Sequence, residues 1–483
     1  MKQVNVQVAV IGAGSAGLSA YRAAKQKTDS VVLIEGDAYG TTCARVGCMP
    51  SKLLIAAAEV AHNAAHTEPF GIVIDGQINI DGKKVMQRVR DERDRFVGLV
   101  VGAIDEIDPH DKLIGHVKFV TETQLQLDEH TTVNAQRVVI ATGSRPTYPS
   151  AWNDLGDKLI VNDDVFDWQD LPSSVAVFGP GVIGLELGQA LHRLGVEVLM
   201  FGMGGKVGPF TDSDIMAYAE KTFSDEFYLD ADAKISNMQL NGELVEITYI
   251  DKQGKEKIKH VDYVLAATGR RPNVDNLGLD KIAIDVDDRG VPVADPHTMQ
   301  TSIPSIFIAG DASNQVPLLH EAADQGKIAG SNAGIYPNIV AGLRRSSIAA
   351  VFTDPQLAMV GLSYQQVTEK LGGCGCFETG SVSFENQGRS RVILKNKGLL
   401  HLYGEQGTGR FLGAEIIGPE AEHLAHLLAW AHQNQMTISQ MLAMPFYHPV
   451  IEEGVRTALR DLNAKLKLGS AMISECMECG PGC

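Results

Sequence analysis

Gln3-Val4-Asn5-Val6-Gln7-Val8-Ala9-Val10-Ile11 runs directly into Gly12-Ala13-Gly14-Ser15-Ala16-Gly17. The first stretch is rich in β-branched residues and reads as a short strand, and the glycines mark a tight turn. A helical pattern follows from Leu18 to about Lys27, then a second apolar strand from Ser30 to Ile34, ending at Glu35. Strand, glycine turn, helix, strand, acid is the order of a dinucleotide-binding unit. Gly12, Gly14 and Gly17 let the backbone turn and approach a pyrophosphate, which sits on the positive helix N-terminus. Glu35 stands 18 residues past Gly17, close to the ~20 expected of the carboxylate that holds a ribose 2′-hydroxyl.

The pattern recurs. Ser174 to Phe178 is a strand, Gly179-Pro180-Gly181-Val182-Ile183-Gly184 a glycine turn, and a helix runs to about Arg193 before the next strand, Glu197 to Phe201. Gly179, Gly181 and Gly184 repeat the roles of the first three glycines. Two such units imply two dinucleotides and electron transfer between them. Eighteen residues past Gly184 is Gly202, where a carboxylate would mark NAD. The chain continues Met203-Gly204-Gly205-Lys206 without the arginine pair that reads a 2′-phosphate, and Lys206 is open to two readings, a phosphate contact or a solvated lysine. NAD is expected, with NADP possible. Ala141-Thr142-Gly143 and Ala267-Thr268-Gly269 each end an apolar strand and mark crossings between domains.

Immediately after the first unit stands Thr42-Cys43-Ala44-Arg45-Val46-Gly47-Cys48-Met49-Pro50-Ser51-Lys52, followed by an alanine-rich helix from Leu53 to Ala65. Two cysteines five apart at a helix N-terminus can close a disulfide across one turn, and the helix dipole favours the thiolate. A structural bridge over so short a loop would stabilise little, so the pair reads as redox-active. Near the other end, His448-Pro449 precedes Glu453. Thiol–disulfide exchange needs a proton carrier. A histidine with a carboxylate behind it supplies one, which makes His448 the acid–base candidate and Glu453 its orienter.

The C-x-x-x-x-C-x-P-S-K sequence downstream of a nucleotide unit resembles the active disulfide of the pyridine nucleotide–disulfide oxidoreductases, class I, as found in dihydrolipoamide dehydrogenase, mercuric reductase and glutathione reductase, and the chain as a whole most resembles the dihydrolipoamide dehydrogenases. The likeness extends over the chain to about residue 470. The resemblance implies an α/β fold: two Rossmann-like three-layer domains, for FAD and NAD(P), plus an α+β C-terminal dimerisation domain. The expected segments are 1–148 and 274–346 for FAD, 149–273 for NAD(P), 347–470 for the interface, and a cysteine-rich tail at 471–483. It also implies that Cys48 lies against the flavin as the charge-transfer thiolate and that Cys43 exchanges with substrate. Lys52, which alone could be an ordinary helix lysine, would sit near flavin N5 and pair with Glu186. Asp311, at the end of Thr301-Ser302-Ile303-Pro304-Ser305-Ile306-Phe307-Ile308-Ala309-Gly310-Asp311, would hold the ribityl chain. Thr42, Gly143 and Gly269 join the cofactor contacts, and His320 either lies beside the flavin or is a packed histidine. In the family the His–Glu dyad comes from the neighbouring subunit, so a homodimer is implied. Arg45 stands where the family usually has asparagine; two residues from Cys43, it is expected to favour the thiolate and to steer an anionic substrate.

Bulk composition bounds the rest. The 483 residues are 44% hydrophobic and 21% charged with a formal charge of −17, which argues against a nucleic-acid partner. No apolar run approaches the ~20 residues of a membrane helix, and the first strand begins too early for a signal peptide, so the cytoplasm is expected, or an organelle matrix if a leader has been trimmed. The seven cysteines fall into close groups, suited to redox chemistry in a reducing compartment. Cys374 and Cys376 sit in a glycine-rich loop and carry no expected role. Cys476, Cys479 and Cys483 leave three readings: an electron shuttle to a bulky substrate, a soft-metal site, or incidental residues. No metal is assigned.

The leading reading is dihydrolipoyl dehydrogenase, oxidising a lipoyl dithiol with NAD, with docking to a 2-oxo acid dehydrogenase complex as an option. A glutathione reductase–like enzyme, with Arg22 and Lys327 as basic groups, and a mercuric reductase–like enzyme working through the tail are the alternatives. A docked structural subunit or redox sensor is the non-enzymatic one.

Overall fold

A computed structural model describes residues 2–371 and 375–467; Cys374, Cys476, Cys479 and Cys483 lie outside them. The chain forms two compact units. One contains the residues up to Gly179, with Glu186–Phe201 and Ala233–Arg344; the other contains Pro180–Leu185, Gly202–Asp232 and the described residues from Arg345 onward.

In the first unit the opening strand β1 (Lys2–Ile11) pairs in parallel with β2 (Val31–Glu35) and β6 (Thr131–Ile140). The sheet order is β3-β2-β1-β6-β5-β4, where β3 is Lys112–Ile114, β4 Val117–Thr121 and β5 Gln124–Leu127. Strand Ile306–Ile308 returns from far along the chain to pair with the end of β6. The strand ends that lead to the glycine turn, Val8–Ile11, Val31–Ile34 and Val138–Ile140, are apolar without interruption because both faces are covered there. Val8, Val10, Leu33 and Val139 pack on the side of helix α1 (Ser15–Lys25), while Ala9, Ile11, Val32 and Ile34 pack with Val117, Phe119 and Leu125 on the other. Helix α1 starts earlier than the apolar spacing suggests, at Ser15 rather than Leu18, because the turn leads into it directly.

A second parallel arrangement joins Glu197–Phe201, Ser174–Phe178, Tyr263–Ala266 and Leu159–Ile160. The two glycine turns are built alike. Gly12 (φ +101) and Gly179 (φ +107) both have left-handed backbones. A Cβ on Gly12 would lie 2.3 Å from the Ala141 carbonyl oxygen, and one on Gly179 would lie 2.4 Å from that of Ala267. The same alanines donate their amides to the preceding strand ends, Ala141 to Ile11 and Ala267 to Phe178, each at 2.8 Å. The repeated Ala-Thr-Gly segments therefore end where each glycine turn needs a close neighbour. Beyond them, Ser144–Pro146 and Arg270–Pro272 pair antiparallel.

Helix α1 crosses helix Leu319–Ile335 at backbone contact. A Cβ on Gly326 would lie 2.1 Å from the Ala16 carbonyl oxygen, and one on Gly330 would lie 2.1 Å from that of Ala20. Two opposing effects act on Gly330→Ala. Alanine gains about 1 kcal/mol over glycine in a helix interior, while forcing extra volume into a packed contact costs about 1–3 kcal/mol or more. Because the atom met is backbone and cannot swing away, the clash should win. The variant is expected to melt several degrees lower; an equal or higher melting temperature would contradict this packing.

The second unit is built on an antiparallel sheet ordered Ile348–Val351, Gln356–Gly361, Phe411–Gly418, Leu399–Glu405, Phe377–Ser383. Helices Ala421–Gln433 and Glu453–Lys465 supply Leu424, Leu428, Leu459 and Leu462 to its core. Glu415 is fully buried in that sheet. It accepts the amides of Thr211, Asp212 and Tyr364 and the Thr211 hydroxyl, which offsets the cost of burying its charge. No helix among the described residues is long and apolar enough to cross a membrane.

Candidate active site

The first glycine turn opens on a cavity of about 880 Å³ lined by Gly12, Gly14, Glu35, Thr42, Thr142 and Gly143 among others, a size suited to a large cofactor. A Cβ on Gly14 would meet nothing within 4 Å, so this glycine faces open space at the start of α1. That helix has no side-chain cap, so its first amides remain available to an anion. Gly17 plays a different part: its Cβ would lie 1.7 Å from the Gly12 carbonyl oxygen, so it lets the helix close onto the turn. Glu35 accepts the Ala13 amide at 2.6 Å and the Gly36 amide at 2.9 Å. The Thr142 hydroxyl and His320 Nε2 are buried without a hydrogen-bond partner among the described residues. An open glycine turn, uncapped amides and orphaned polar atoms fit a bound dinucleotide such as FAD.

Asp311 lies in the Gly310–Ser313 turn and accepts the Ser144 hydroxyl at 2.7 Å; Arg270 Nε donates to that hydroxyl at 2.9 Å. Neither Asp311 nor His320 lines the cavity itself. In the second turn, a Cβ on Gly181 would also meet nothing within 4 Å, and Gly184 lies in helix Val182–Arg193. Gly269 has φ +122.

The two cysteines sit on different helices. Cys43 is on the short helix Thr42–Val46, and Cys48 is the first residue of Cys48–Ala65. The long helix therefore starts five residues before Leu53, since Pro50 in its first turn loses no intrahelical bond. A Cβ on Gly47 would lie 3.0 Å from the Thr42 carbonyl oxygen, so glycine here lets the two segments fold close. Cys43 and Cys48 are free thiols, and they share a hydrogen bond. The Cys43 thiol donates to the Cys48 sulfur, and this with Lys52 outweighs burial to bring the Cys48 pKa down to about 7. The same bond, with burial, pushes Cys43 up. Of the two, Cys48 is the thiol that ionises more readily, with the helix N-terminus favouring its thiolate.

Lys52 donates to both carboxylate oxygens of Glu186, at 2.8 and 2.7 Å, with Glu186 only 5% exposed. Arg45 is held by the loop that precedes the cysteines. It donates to the Ala38 carbonyl at 3.0 Å and lines the cavity, and Lys52 is the cation that acts on both thiols. Two contributors were not legible in the sequence. Buried Asn162 donates to the Val46 carbonyl at 2.9 Å, pinning the turn between the cysteines. Asp163 lines the cavity, and burial raises its pKa. Both stand in Val161-Asn162-Asp163-Asp164, whose only sequence signal is a helix start.

In the second unit, His448 Nδ1 lies 3.0 and 3.1 Å from the two Glu453 oxygens, and the Val450 amide donates to the same carboxylate. A carboxylate only accepts, so Nδ1 carries the proton and Nε2 is left as the free acceptor. The imidazole is 81% exposed.

A thiolate with a pKa near 7 has a direct consequence. Alkylation of the reduced protein by iodoacetamide is expected to be half-maximal near pH 7 and to level off about one unit above it. Cys43→Ala, which removes the donor, should move that plateau to higher pH. Cys43→Ser, which keeps a hydroxyl donor, should move it less. An unchanged profile in Cys43→Ala would mean the shared hydrogen bond does not set the charge.

Known proteins resemble the chain over most of its length. The family model described as pyridine nucleotide-disulphide oxidoreductase matches residues 6–326, and the dimerisation domain of that family matches residues 347–459. The dihydrolipoyl dehydrogenase of Halobacterium salinarum is 30% identical over 93% of this chain and 95% of that protein. A dihydrolipoyl dehydrogenase of Bacillus subtilis is 29% identical over 94% and 97%. Among solved structures, the HOCl-induced flavoprotein disulfide reductase RclA from Escherichia coli superposes with a TM-score of 0.78 at 21% identity, covering 95% of this chain and 100% of that one. That likeness shows the shared fold. With both of its family segments matched in order, the chain belongs to the pyridine nucleotide-disulphide oxidoreductases, enzymes that use FAD and NAD(P).

Proposed function

We propose that this flavin-linked oxidoreductase is a dihydrolipoyl dehydrogenase, oxidising a lipoyl dithiol to its cyclic disulfide with NAD as acceptor. The observation that carries the reading is the Cys43–Cys48 pair, hydrogen-bonded across the start of a helix beside the Lys52–Glu186 ion pair, with Cys48 the more acidic thiol. The names of the relatives, at about 30% identity over most of the chain, favour the lipoyl substrate over glutathione. Gly12, Gly14, Glu35, Thr42, Gly143 and Asp311 would hold FAD, with His320 beside it. Gly179, Gly181, Gly184 and Gly269 would hold the nicotinamide dinucleotide. Bound FAD would supply the two-electron relay between the sulfur pair and the nicotinamide.

The protein's own steps then follow. His448 of the partner subunit takes the proton of the first substrate thiol at Nε2, with Glu453 of the partner subunit holding the imidazolium. The substrate thiolate attacks Cys43 of the oxidised pair, the Cys43–Cys48 bond breaks, and Cys48 leaves as the thiolate. The second substrate sulfur then attacks the first, closing the cyclic disulfide and releasing Cys43. Cys43 takes up a proton and donates it in the hydrogen bond to Cys48. The Lys52–Glu186 pair keeps a cation near Cys48, which favours the thiolate as leaving group. This reading places the enzyme as a homodimer in the cytoplasm, able to serve a 2-oxo acid dehydrogenase complex.

Steady-state turnover decides it: dihydrolipoamide with NAD, beside oxidised glutathione with NADPH. Fast lipoamide-linked turnover that survives deletion of residues 471–483 is the expected result. Faster glutathione-linked turnover, or loss of activity on deleting the tail, would overturn the lipoyl assignment.

A further inference from the structure

We propose that Asp232 selects the nicotinamide dinucleotide, its carboxylate standing in for the acid that the chain lacks at Gly202 and favouring NAD over NADP. In a dinucleotide-binding unit the carboxylate that receives the ribose hydroxyls extends from the end of the second strand. Here that strand ends at Phe201 and the next residue is Gly202. No side chain fits there. A Cβ on Gly202 would lie 2.6 Å from the Ala231 carbonyl oxygen and 2.8 Å from Pro180 Cγ.

The same closure brings another carboxylate into place. The loop after Gly202 turns through two consecutive left-handed glycines, Gly204 (φ +74) and Gly205 (φ +71). It is tied to the segment Asp230–Asp232 at three points. The Gly202 amide donates to the Asp230 carbonyl at 2.7 Å and the Gly205 amide to that of Ala231 at 3.0 Å. The Gly204 amide donates to Asp232 Oδ1 at 2.8 Å. Asp232 Oδ2 has no protein donor among the described residues, and the side chain is exposed. A carboxylate is therefore fixed beside the loop that follows Gly202, with one oxygen left to accept hydroxyl protons.

Charge argues in the same direction. Asp230 Oδ1 accepts the Asp232 amide at 3.1 Å, so two carboxylates flank the loop. A 2′-phosphate would bring nearly two further negative charges to them, and like charges at close range give discrimination by repulsion. Lys206, exposed on the same loop, is one cation against two anions. This inference rests on the family's nicotinamide site and not on the lipoyl reading, so either can fail without the other.

Equilibrium binding of NAD and NADP to the oxidised, FAD-loaded enzyme, measured by calorimetry, tests it without any turnover. The wild-type protein is expected to bind NAD at least about ten-fold more tightly than NADP. Asp232→Asn keeps an acceptor for Gly204 but loses the charge, and it should shrink that ratio about ten-fold, mainly by tighter NADP binding. Asp232→Glu should retain the preference, and matched melting curves would show that neither substitution unfolds the loop. Equal or tighter NADP binding by the wild type overturns the proposal. So does an unchanged ratio in Asp232→Asn, or a preference that moves only with Lys206→Gln.

Discussion

Cys48→Ser is expected to lower dithiol-linked turnover by on the order of 10⁴-fold or more, the scale of loss when a group that forms the covalent intermediate is removed. The physical reason is that two electrons are stored by making and breaking the bond between Cys43 and Cys48, and a hydroxyl oxygen cannot form that bond. Cys43→Ser should lose as much in the same assay, yet the two variants should differ in chemistry. Cys43→Ser retains the sulfur that carries the charge, so it should keep a reactive thiolate near neutral pH. Cys48→Ser retains only Cys43, whose pKa burial still pushes up, so it should alkylate more slowly than Cys43→Ser at pH 7. The protein should stay folded in both, because Cys48 is exposed and Cys43 only half-buried. NADH oxidation by a dye acceptor, which needs neither cysteine, serves as the control. Turnover within about ten-fold of wild type for Cys48→Ser would remove the sulfur pair from the mechanism.

His448→Gln is expected to reduce the same turnover by about 10²–10⁴-fold, the range of a positioned acid–base group. Glutamine fills similar space and can still donate to Glu453, but it cannot accept and return a proton. Glu453→Gln should cost less, since the imidazole remains but loses the partner that fixes its tautomer. The double variant should be little worse than His448→Gln alone, because the two residues act as one unit. The pH dependence separates them. The hydrogen bond from His448 holds the Glu453 carboxyl below the usual carboxylate range. Glu453 therefore stays charged as pH falls to about 5, and an acid-side loss of rate above that pH does not come from this carboxylate. Full turnover in His448→Gln would mean that another group carries the proton.

How much of this was legible before the structure depends on the range of the interaction. Gly12, Gly14 and Gly17 announce a strand-to-helix turn because their constraint is local: a left-handed φ, an open approach, a helix closing onto its own turn. The cysteine pair and the His–Glu pair also declare themselves, since five residues of chain carry both partners in each case. Lys52 and Glu186 were paired only through resemblance to the family, being 134 residues apart. The hydrogen-bond partner of Arg45 was not legible. Proximity to Cys43 in the chain suggested a thiolate partner, whereas its side chain reaches the Ala38 carbonyl.

The sequence by itself determined the doubled nucleotide-binding pattern, and offered the cysteine pair and the His448–Glu453 pair as candidates, because each rests on contacts within a turn or two of chain. Only the tertiary structure decided that the long helix begins at Cys48 and that Asn162 pins the turn between the cysteines. It likewise decided that Gly326 and Gly330 carry a backbone-to-backbone helix crossing, and that the position of Gly202 is closed while Asp232 stands beside its loop. These are contacts between residues distant in the chain. Their geometry follows from how strands and helices pack, and packing at near-crystalline density leaves a Cβ no room where two backbones meet.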